Sequence, residues 1–407
     1  KDLGPHVLLY SDRCIMCTRC VRFTREVTGT DELIVEGRGA QEQIDLFPGK
    51  ALDNELSGNV IDICPVGALL DKDFLFQQRV WFLKKTPSID GLTCSGDNIS
   101  VEHNEGQVYR VKPRTNMDIN RWWITDEVRY GWKFVHDDHR LRIPEIRGRD
   151  RLPMEQAPEA YSQAYSEMND RLGNAKRIAL IVSPMLSCED AYHLATYVTR
   201  IDPDAILGVG PVPRRGQDKT FRDGFKLYAE KAPNARGVKR VLNAFSNNVL
   251  DAEAFQKQVA GNSDVDAVVV TGNYPSDWVT EEFEKAVGEP NSRFVAVIDI
   301  LPNRLTRRAD VLLPGASWCE KAGTFENVNN RLQAFERAIE PIDYCKSESQ
   351  LAIDLLAHHN GTDPHPYNAP ATRDVMAETK NLREFVGDVY LPPAKAPVEP
   401  DMQLVEL

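Results

Sequence analysis

No stretch of this 407-residue chain holds the roughly 18 to 20 consecutive apolar residues needed to cross a bilayer, and no charged-then-apolar segment near Lys1 reads as a secretory signal. Any membrane association is therefore expected through a partner. Basic charge is in deficit: 49 Lys and Arg stand against 61 Asp and Glu, a formal net charge of -12. Binding to a phosphate backbone needs excess positive surface, so no nucleic-acid partner is expected. Cysteine is scarce. Eight in 407 residues cannot form a disulfide scaffold, and half of them sit in one tight pattern, which favours a metal site in a reducing compartment. No glycine-rich phosphate loop follows the first strand of the α/β region, and no nucleophile stands beside a base, so no catalytic residue is assigned. An initiator methionine is also missing before Lys1, which predicts a longer parent sequence.

What is present is 42% hydrophobic and 27% charged, an ordinary globular composition and enough chain for two or three domains. Residues 1–78 hold the cysteine pattern, a short amphipathic stretch from Val21 to Val27, and turns at Gly37-Arg38-Gly39 and Pro48-Gly49; their cohesion is expected to depend on metal. Residues 79–150 change to short alternating runs. Ile99 to Val101 and Val108 to Val111, separated by His103-Asn104-Glu105-Gly106, predict a hairpin in a small β-rich domain crowded with Trp81, Trp122, Trp123 and Trp132.

Residues 151–365 alternate helix and strand. Tyr161, Ala164, Tyr165, Met168 and Leu172 share one helical face, and the strand Ile178 to Val182 follows. Ser187 with Asp190 predicts a helix start, whose buried stripe is Ala191, Leu194, Ala195, Val198 and Ile201. The β-branched runs Ala267 to Thr271 and Phe294 to Ile298 point to a parallel sheet covered on both faces, a doubly wound α/β domain. From 366 to 407 the chain is rich in proline and charge, and a partly extended or disordered tail is expected.

Cys14, Cys17 and Cys20 place three thiolates in one loop, and Cys64 is followed at once by Pro65. Three near ligands and one remote Cys-Pro ligand suit a single 4Fe-4S cubane, one thiolate per iron. Arg13, Arg19 and Arg22 would favour its more negative, reduced state. The cysteine that serves a second cluster in two-cluster ferredoxins is replaced here by Thr24. Cysteine pairs two apart also occur in zinc sites, usually as two separated pairs, and a purely structural cluster is a further reading. Cys94, Cys188, Cys319 and Cys345 have no neighbour at ligand spacing and read as buried structural thiols. His358-His359 reads as a solvated helix end.

These residues resemble the large iron-sulfur subunit family of NADH-quinone oxidoreductase, respiratory complex I. The resemblance runs through Arg13 to Phe23, Gly37-Arg38-Gly39, Glu55 to Leu69, Trp81 to Asp90 and Asp118-Ile119-Asn120. The later region is similar to molybdopterin oxidoreductases, in Ala309 to Pro314, Glu320, Gly323-Thr324-Phe325, Asn327, Arg331 and Gln333. The resemblance implies a ferredoxin-like domain followed by a degenerate molybdopterin-oxidoreductase-like domain. It also implies electron transfer from an NADH-oxidising flavoprotein toward quinone, among other peripheral-arm subunits on the cytoplasmic face of a bacterial inner membrane or the mitochondrial matrix side. Further clusters would lie upstream of Lys1. Two departures stand out: Thr86 to Asn98 offers only Cys94 where relatives carry another cubane, and no second nucleotide-binding half is evident. No molybdopterin is expected, Gly272-Asn273 reads as a strand-end turn, and Glu320 with Arg331 as a fold-maintaining polar pair. A subunit of a soluble NAD-linked hydrogenase or formate dehydrogenase, or an active molybdopterin oxidoreductase, is the alternative.

Overall fold

The computed structural model describes residues 1–288, 293–387 and 389. Near the N-terminus, strand β1 (Val7–Leu9) pairs antiparallel with β4 (Leu69–Asp71), and β2 (Leu33–Glu36) pairs with β3 (Gln43–Leu46). Helix α1 (Arg19–Arg22) widens into a π-helical turn over Phe23–Thr28, and α2 (Asn59–Ile63) stops at Cys64. The proline at 65 enforces that stop, because it disfavours helical backbone at the residue before it.

The next region is a three-stranded antiparallel sheet, β5 (Lys84–Ile89), β6 (Asn98–Asn104) and β7 (Gln107–Pro113), followed by α3 (Asp126–Tyr130). The β6–β7 turn is the predicted hairpin: Glu105 (φ 49°) and Gly106 (φ 79°) both take the left-handed conformation that matches the twist of paired strands. Trp132 is buried in this region's core, whereas Trp81 is 73% exposed.

Beyond it, β8 (Glu145–Ile146), α4 (Ala157–Gly173), β9 (Ile178–Val182), α5 (Cys188–Ile201) and β10 (Ile206–Val209) open the α/β region. The short hairpin β11 (Lys219–Thr220) and β12 (Lys226–Leu227) comes next, then α6 (Ala235–Leu242), α7 (Ala252–Gly261), β13 (Ala267–Thr271), α8 (Glu281–Gly288), β14 (Phe294–Asp299) and β15 (Val311–Pro314). A second hairpin, β16 (Gly323–Glu326) and β17 (Leu332–Phe335), precedes α9 (Glu348–Asn360). Six strands form one sheet in the order β10-β9-β13-β14-β15-β8, parallel except for β8. Alternate residues feed separate cores. Ile178, Leu180 and Val182 pack with α4, α5 and α9, while Ala179 and Ile181 pack with Phe255 and Val259 of α7 and Phe283 of α8. The predicted face of α4, Tyr161 to Leu172, is buried in the first of these. At the start of α5, Ser187 Oγ accepts from the Asp190 N–H and Asp190 Oδ2 accepts from the Ser187 N–H, each at 3.1 Å. This is the reciprocal cap expected there.

One expectation is corrected. Part of the expected tail folds: α10 (Ala369–Ala377) and α11 (Glu384–Gly387) are helices, and Met376, Leu382 and Phe385 join the main core. Pro370 is compatible because it lies in the first turn, where its missing N–H costs nothing, and the Asn368 side chain caps that turn. Residues 388 and 390–407 of that tail lie outside the described residues. The first 78 residues contribute Leu3, Leu52, Leu56 and Val60 to an apolar core that Phe221 and Phe225 of the β11–β12 hairpin complete.

Candidate metal centre

A 3-10 turn over Ser11–Arg13 delivers Cys14 in extended conformation, with its N–H donating to the Ser11 carbonyl at 2.9 Å. Two of the next four residues, Met16 (φ 53°) and Thr18 (φ 58°), are left-handed without being glycine. Such a conformation costs about 1–3 kcal/mol per residue and persists only where the surroundings impose it, characteristically at functional sites. It folds the loop back on itself, so that the Met16 N–H donates to Cys14 Sγ at 3.4 Å. Thr18 opens α1, which carries Cys20.

Cys14, Cys17, Cys20 and Cys64 all line one small cavity, closed by apolar side chains that include Leu9, Ile44 and Leu69. Cys20 is buried, Cys14 and Cys64 are half-buried, and Cys17 is exposed. Burial pushes the Cys20 thiol up to about 11; the Val21 N–H opposes the shift, and Cys14 and Cys17 add to it. Bonding to iron removes that proton, as it does for any ligating thiol. Among the described residues, no three His, Cys, Asp or Glu side chains converge on a point suited to one metal ion. A cubane requires no such convergence, because each thiolate meets a different iron. The donor set and its cavity therefore fit a 4Fe-4S cluster.

Around this centre, Thr24 is fully buried and its hydroxyl donates to the Val21 carbonyl at 3.0 Å, a local backbone role. Of the three arginines, Arg13 stacks over Tyr10, Arg19 lines the cavity, and Arg22 is paired with Glu26 at 3.1 Å. Behind Cys64, α2 is tied to α3. Arg129 Nη2 reaches Asp62 Oδ2 at 2.6 Å and Asn59 Oδ1 at 3.2 Å, an anchor that sequence reading did not find.

Cys94, Cys188, Cys319 and Cys345 are all buried and free. Burial pushes the thiols of Cys94 and Cys345 up to about 12, the chemistry of inert structural cysteines. Cys188 contacts Asn234, and Cys345 donates to the Leu141 carbonyl at 3.1 Å. His358 and His359 lie in the last turn of α9, before Gly361 (φ 66°).

Open α/β sheets bind ligands at their C-terminal strand ends; after β13 and β14 the chain's own polar side chains pack together there. A Cβ on Gly272 would lie 1.9 Å from Asp299 Oδ2, so the glycine makes room for that carboxylate. Asn273 (φ 75°) donates through Nδ2 to the Ala316 carbonyl at 2.7 Å and to Glu348 Oε1 at 2.8 Å. Lys321 binds Asp190 at 2.8 Å and also Glu348. The pairing expected for Glu320 is corrected: its buried partner is Arg140 at 2.9 Å, while Arg331 reaches Asp118 at 3.3 Å.

Comparison with known proteins fits this geometry. Residues 4–70 match the ferredoxin-like domain of NADH-quinone oxidoreductase subunit 3, and residues 83–133 match the NDSU1/NuoG-like 4Fe-4S domain of NADH-ubiquinone oxidoreductase. Residues 244–357 match the molybdopterin oxidoreductase family. The mitochondrial NADH-ubiquinone oxidoreductase 78 kDa subunit of Candida albicans is 33% identical over 290 residues, 70% of this chain and 35% of the relative. This chain is a homologue of the large iron-sulfur subunits of NADH-quinone oxidoreductase. The iron-sulfur protein 1 of potato mitochondrial NADH dehydrogenase is 49% identical over 150 residues, 37% of this chain and 20% of the relative. A bacterial relative, an NADH-quinone oxidoreductase subunit of Rickettsia felis, is 34% identical over 203 residues, 49% of this chain and 30% of the relative. The chain thus spans between 20% and 35% of the length of these relatives. No described helix is long and apolar enough to cross a membrane.

Proposed function

We propose that this chain is an electron-relay subunit of an NADH-quinone oxidoreductase, holding one 4Fe-4S cluster on Cys14, Cys17, Cys20 and Cys64. The supporting observation is that a loop bent by left-handed Met16 and Thr18 brings its three cysteines to the same cavity as the remote Cys64. When bound, the cluster supplies one-electron exchange. The chain's own part is to hold four thiolates, to bond their sulfurs from the Met16 and Val21 N–H groups, and to pack Leu9, Ile44 and Leu69 against them. Hydrogen bonds and packing of this kind set a reduction potential. The exposed Cys17 leaves one edge open to a redox partner.

Its relatives are named as subunits of NADH-quinone or NADH-ubiquinone oxidoreductase, which supports other subunits of such a complex as partners; in this reading they are a flavoprotein that oxidises NADH and iron-sulfur subunits leading to quinone. Membrane association comes through them, on the cytoplasmic side in a bacterium or the matrix side in a mitochondrion. No independent active site is assigned to this chain. The α/β region serves as a scaffold, a doubly wound sheet of molybdopterin-oxidoreductase type without the pterin. Asp299, Asn273, Lys321 and Glu348 pack where a bulky cofactor would enter.

Elemental analysis tests this reading. Chain produced in cells that make molybdopterin should contain about four irons and no molybdenum or tungsten. A stoichiometric molybdenum with extractable pterin would make the chain an enzyme in its own right.

A further inference from the structure

The helix that carries Cys20 is held at its far end by a residue of the α/β region. Cys20 stands in the first turn of α1, and the helix continues through the π-helical turn Phe23–Thr28. Turns of this kind are rare and occur often at functional sites. The last carbonyls of a helix have no partner within it. Here two of them are met by Arg222 of the β11–β12 hairpin, 197 positions beyond Arg25. The Arg222 N–H donates to the Val27 carbonyl at 3.1 Å, and Arg222 Nη1 donates to the Arg25 carbonyl, also at 3.1 Å. The guanidinium thereby places a cation at the helix end whose dipole favours one.

The next residue of the hairpin holds the side of the same helix. Phe23 lies three positions after Cys20 and so shares its face. The Trp123 ring meets Phe23 edge-on, with centroids 4.9 Å apart and planes at 72°. Trp123 Nε1 donates to Asp223 Oδ2 at 2.8 Å, and Arg121 Nη1 donates to the Asp223 carbonyl. Asp223 Oδ1 accepts from the Phe225 N–H at 3.0 Å, which fixes the carboxylate within the hairpin turn. Phe221 and Phe225, on either side of that turn, are buried in the core that contains Cys20, Val21 and Phe23. Arg222 and Asp223 are thus presented from a seated hairpin rather than from a free loop.

These contacts bear on the Cys20 sulfur. The Val21 N–H bonds that sulfur, and both residues are buried on α1. Hydrogen bonds to ligand sulfurs, together with their burial, tune the reduction potential of an iron-sulfur centre. A helix this short moves as one body. Freeing its end at Val27, or its side at Phe23, therefore changes how the Val21 N–H meets the sulfur and how far the sulfur is shielded from water.

We propose that Arg222 and Asp223 are positioning residues for the cysteine centre. Arg222 acts through the end of the Cys20 helix and Asp223 through Trp123 and Phe23; together they fix the Cys20 sulfur and its hydrogen bond, and so tune the reduction potential from the α/β region. This role rests on the electron-relay reading, and it gives the α/β region a part in electron transfer beyond support.

The test is a redox titration of the full iron-loaded chain, followed by electron paramagnetic resonance, on wild type, Arg222→Ala, Arg222→Lys and Asp223→Ala. The readouts are the midpoint potential and the line shape, which reports the geometry around the irons. Both alanine variants should shift the midpoint and alter the line shape. Arg222→Lys, whose ammonium can still donate to the Arg25 carbonyl, should return both toward wild type. Arg222 is exposed, so if Asp223→Ala does not fold, the two Arg222 variants decide the matter. A midpoint shift in Arg222→Ala with an unchanged line shape would reduce Arg222 to a surface charge and overturn the positioning role. Wild-type values of both readouts in the alanine variants would overturn it too, and would leave the electron-relay reading in place. Wild-type chain with no reducible cluster would overturn both.

Discussion

Arg129 Nη2 lies 2.6 Å from Asp62 Oδ2, joining the helix that ends at Cys64 to α3 of the neighbouring β region. Both side chains are largely removed from solvent, and Lys112 adds a second cation at 2.9 Å. Removing the guanidinium would leave the Asp62 carboxylate, two residues before the proposed ligand Cys64, with Lys112 as its remaining cation. Arg129→Met is therefore expected to destabilise the chain by about 1.5–3 kcal/mol, the usual worth of hydrogen bonds to a charged group. Denaturant unfolding monitored by cluster absorption checks this. A loss below about 1 kcal/mol would mean that the anchor is equivalent to a surface pair.

The β11–β12 hairpin offers a second handle on the same domain. Phe221 and Phe225 are 3% and 4% exposed, and they complete the core around Leu3, Leu52 and Leu56. Phe225→Ala should cost about 3–5 kcal/mol and should speed loss of iron, although residue 225 lies far from any cysteine in sequence. The checks are chemical unfolding and the rate of iron release to a chelator. Unchanged release would show that the hairpin merely rests on the domain.

Two carboxylates share one ammonium at Lys321, and they divide unequally. Burial pushes Glu348 up to about 7, with Lys321 opposing and Asp190 adding to the shift; Asp190 is held below the ordinary range by Lys321 despite its own burial. Glu348 thus binds its proton more tightly folded than unfolded. Its contribution to stability is fully present below the ordinary glutamate value of about 4.5 and is lost as pH rises through about 7. Glu348→Gln should flatten the stability profile across that window. An unchanged slope in pH-dependent denaturation would contradict the assignment.

Much of this was legible in sequence where the signal is local. The spacing of Cys14, Cys17 and Cys20, the Cys64-Pro65 pair, the cap at Ser187 and the β-branched strands all lie within short windows. The rest depends on contacts remote in sequence. Glu320 meets Arg140, 180 residues away, and no local pattern predicts that choice over Arg331. Phe221 and Phe225 sit in a hairpin too short to show periodicity, so their reach into the first domain was hidden. Prolines obscured α10, because composition does not reveal that Pro370 falls in a tolerant first turn. At the centre itself the spacing of the four proposed ligands was readable, but the left-handed Met16 and Thr18 were not, since neither is a residue that favours that conformation.

The most direct test of the central claim is a redox titration of the reconstituted chain followed by electron paramagnetic resonance, run beside Cys64→Ala and Cys94→Ser. The account predicts one reversible one-electron signal from a 4Fe-4S cluster in wild type. Cys94→Ser should leave that signal unchanged, and Cys64→Ala should abolish it or convert it to a three-iron species. Stoichiometric zinc without a redox signal, or an intact cubane in Cys64→Ala, would contradict the assignment of these four cysteines as the ligands of an electron-carrying cluster.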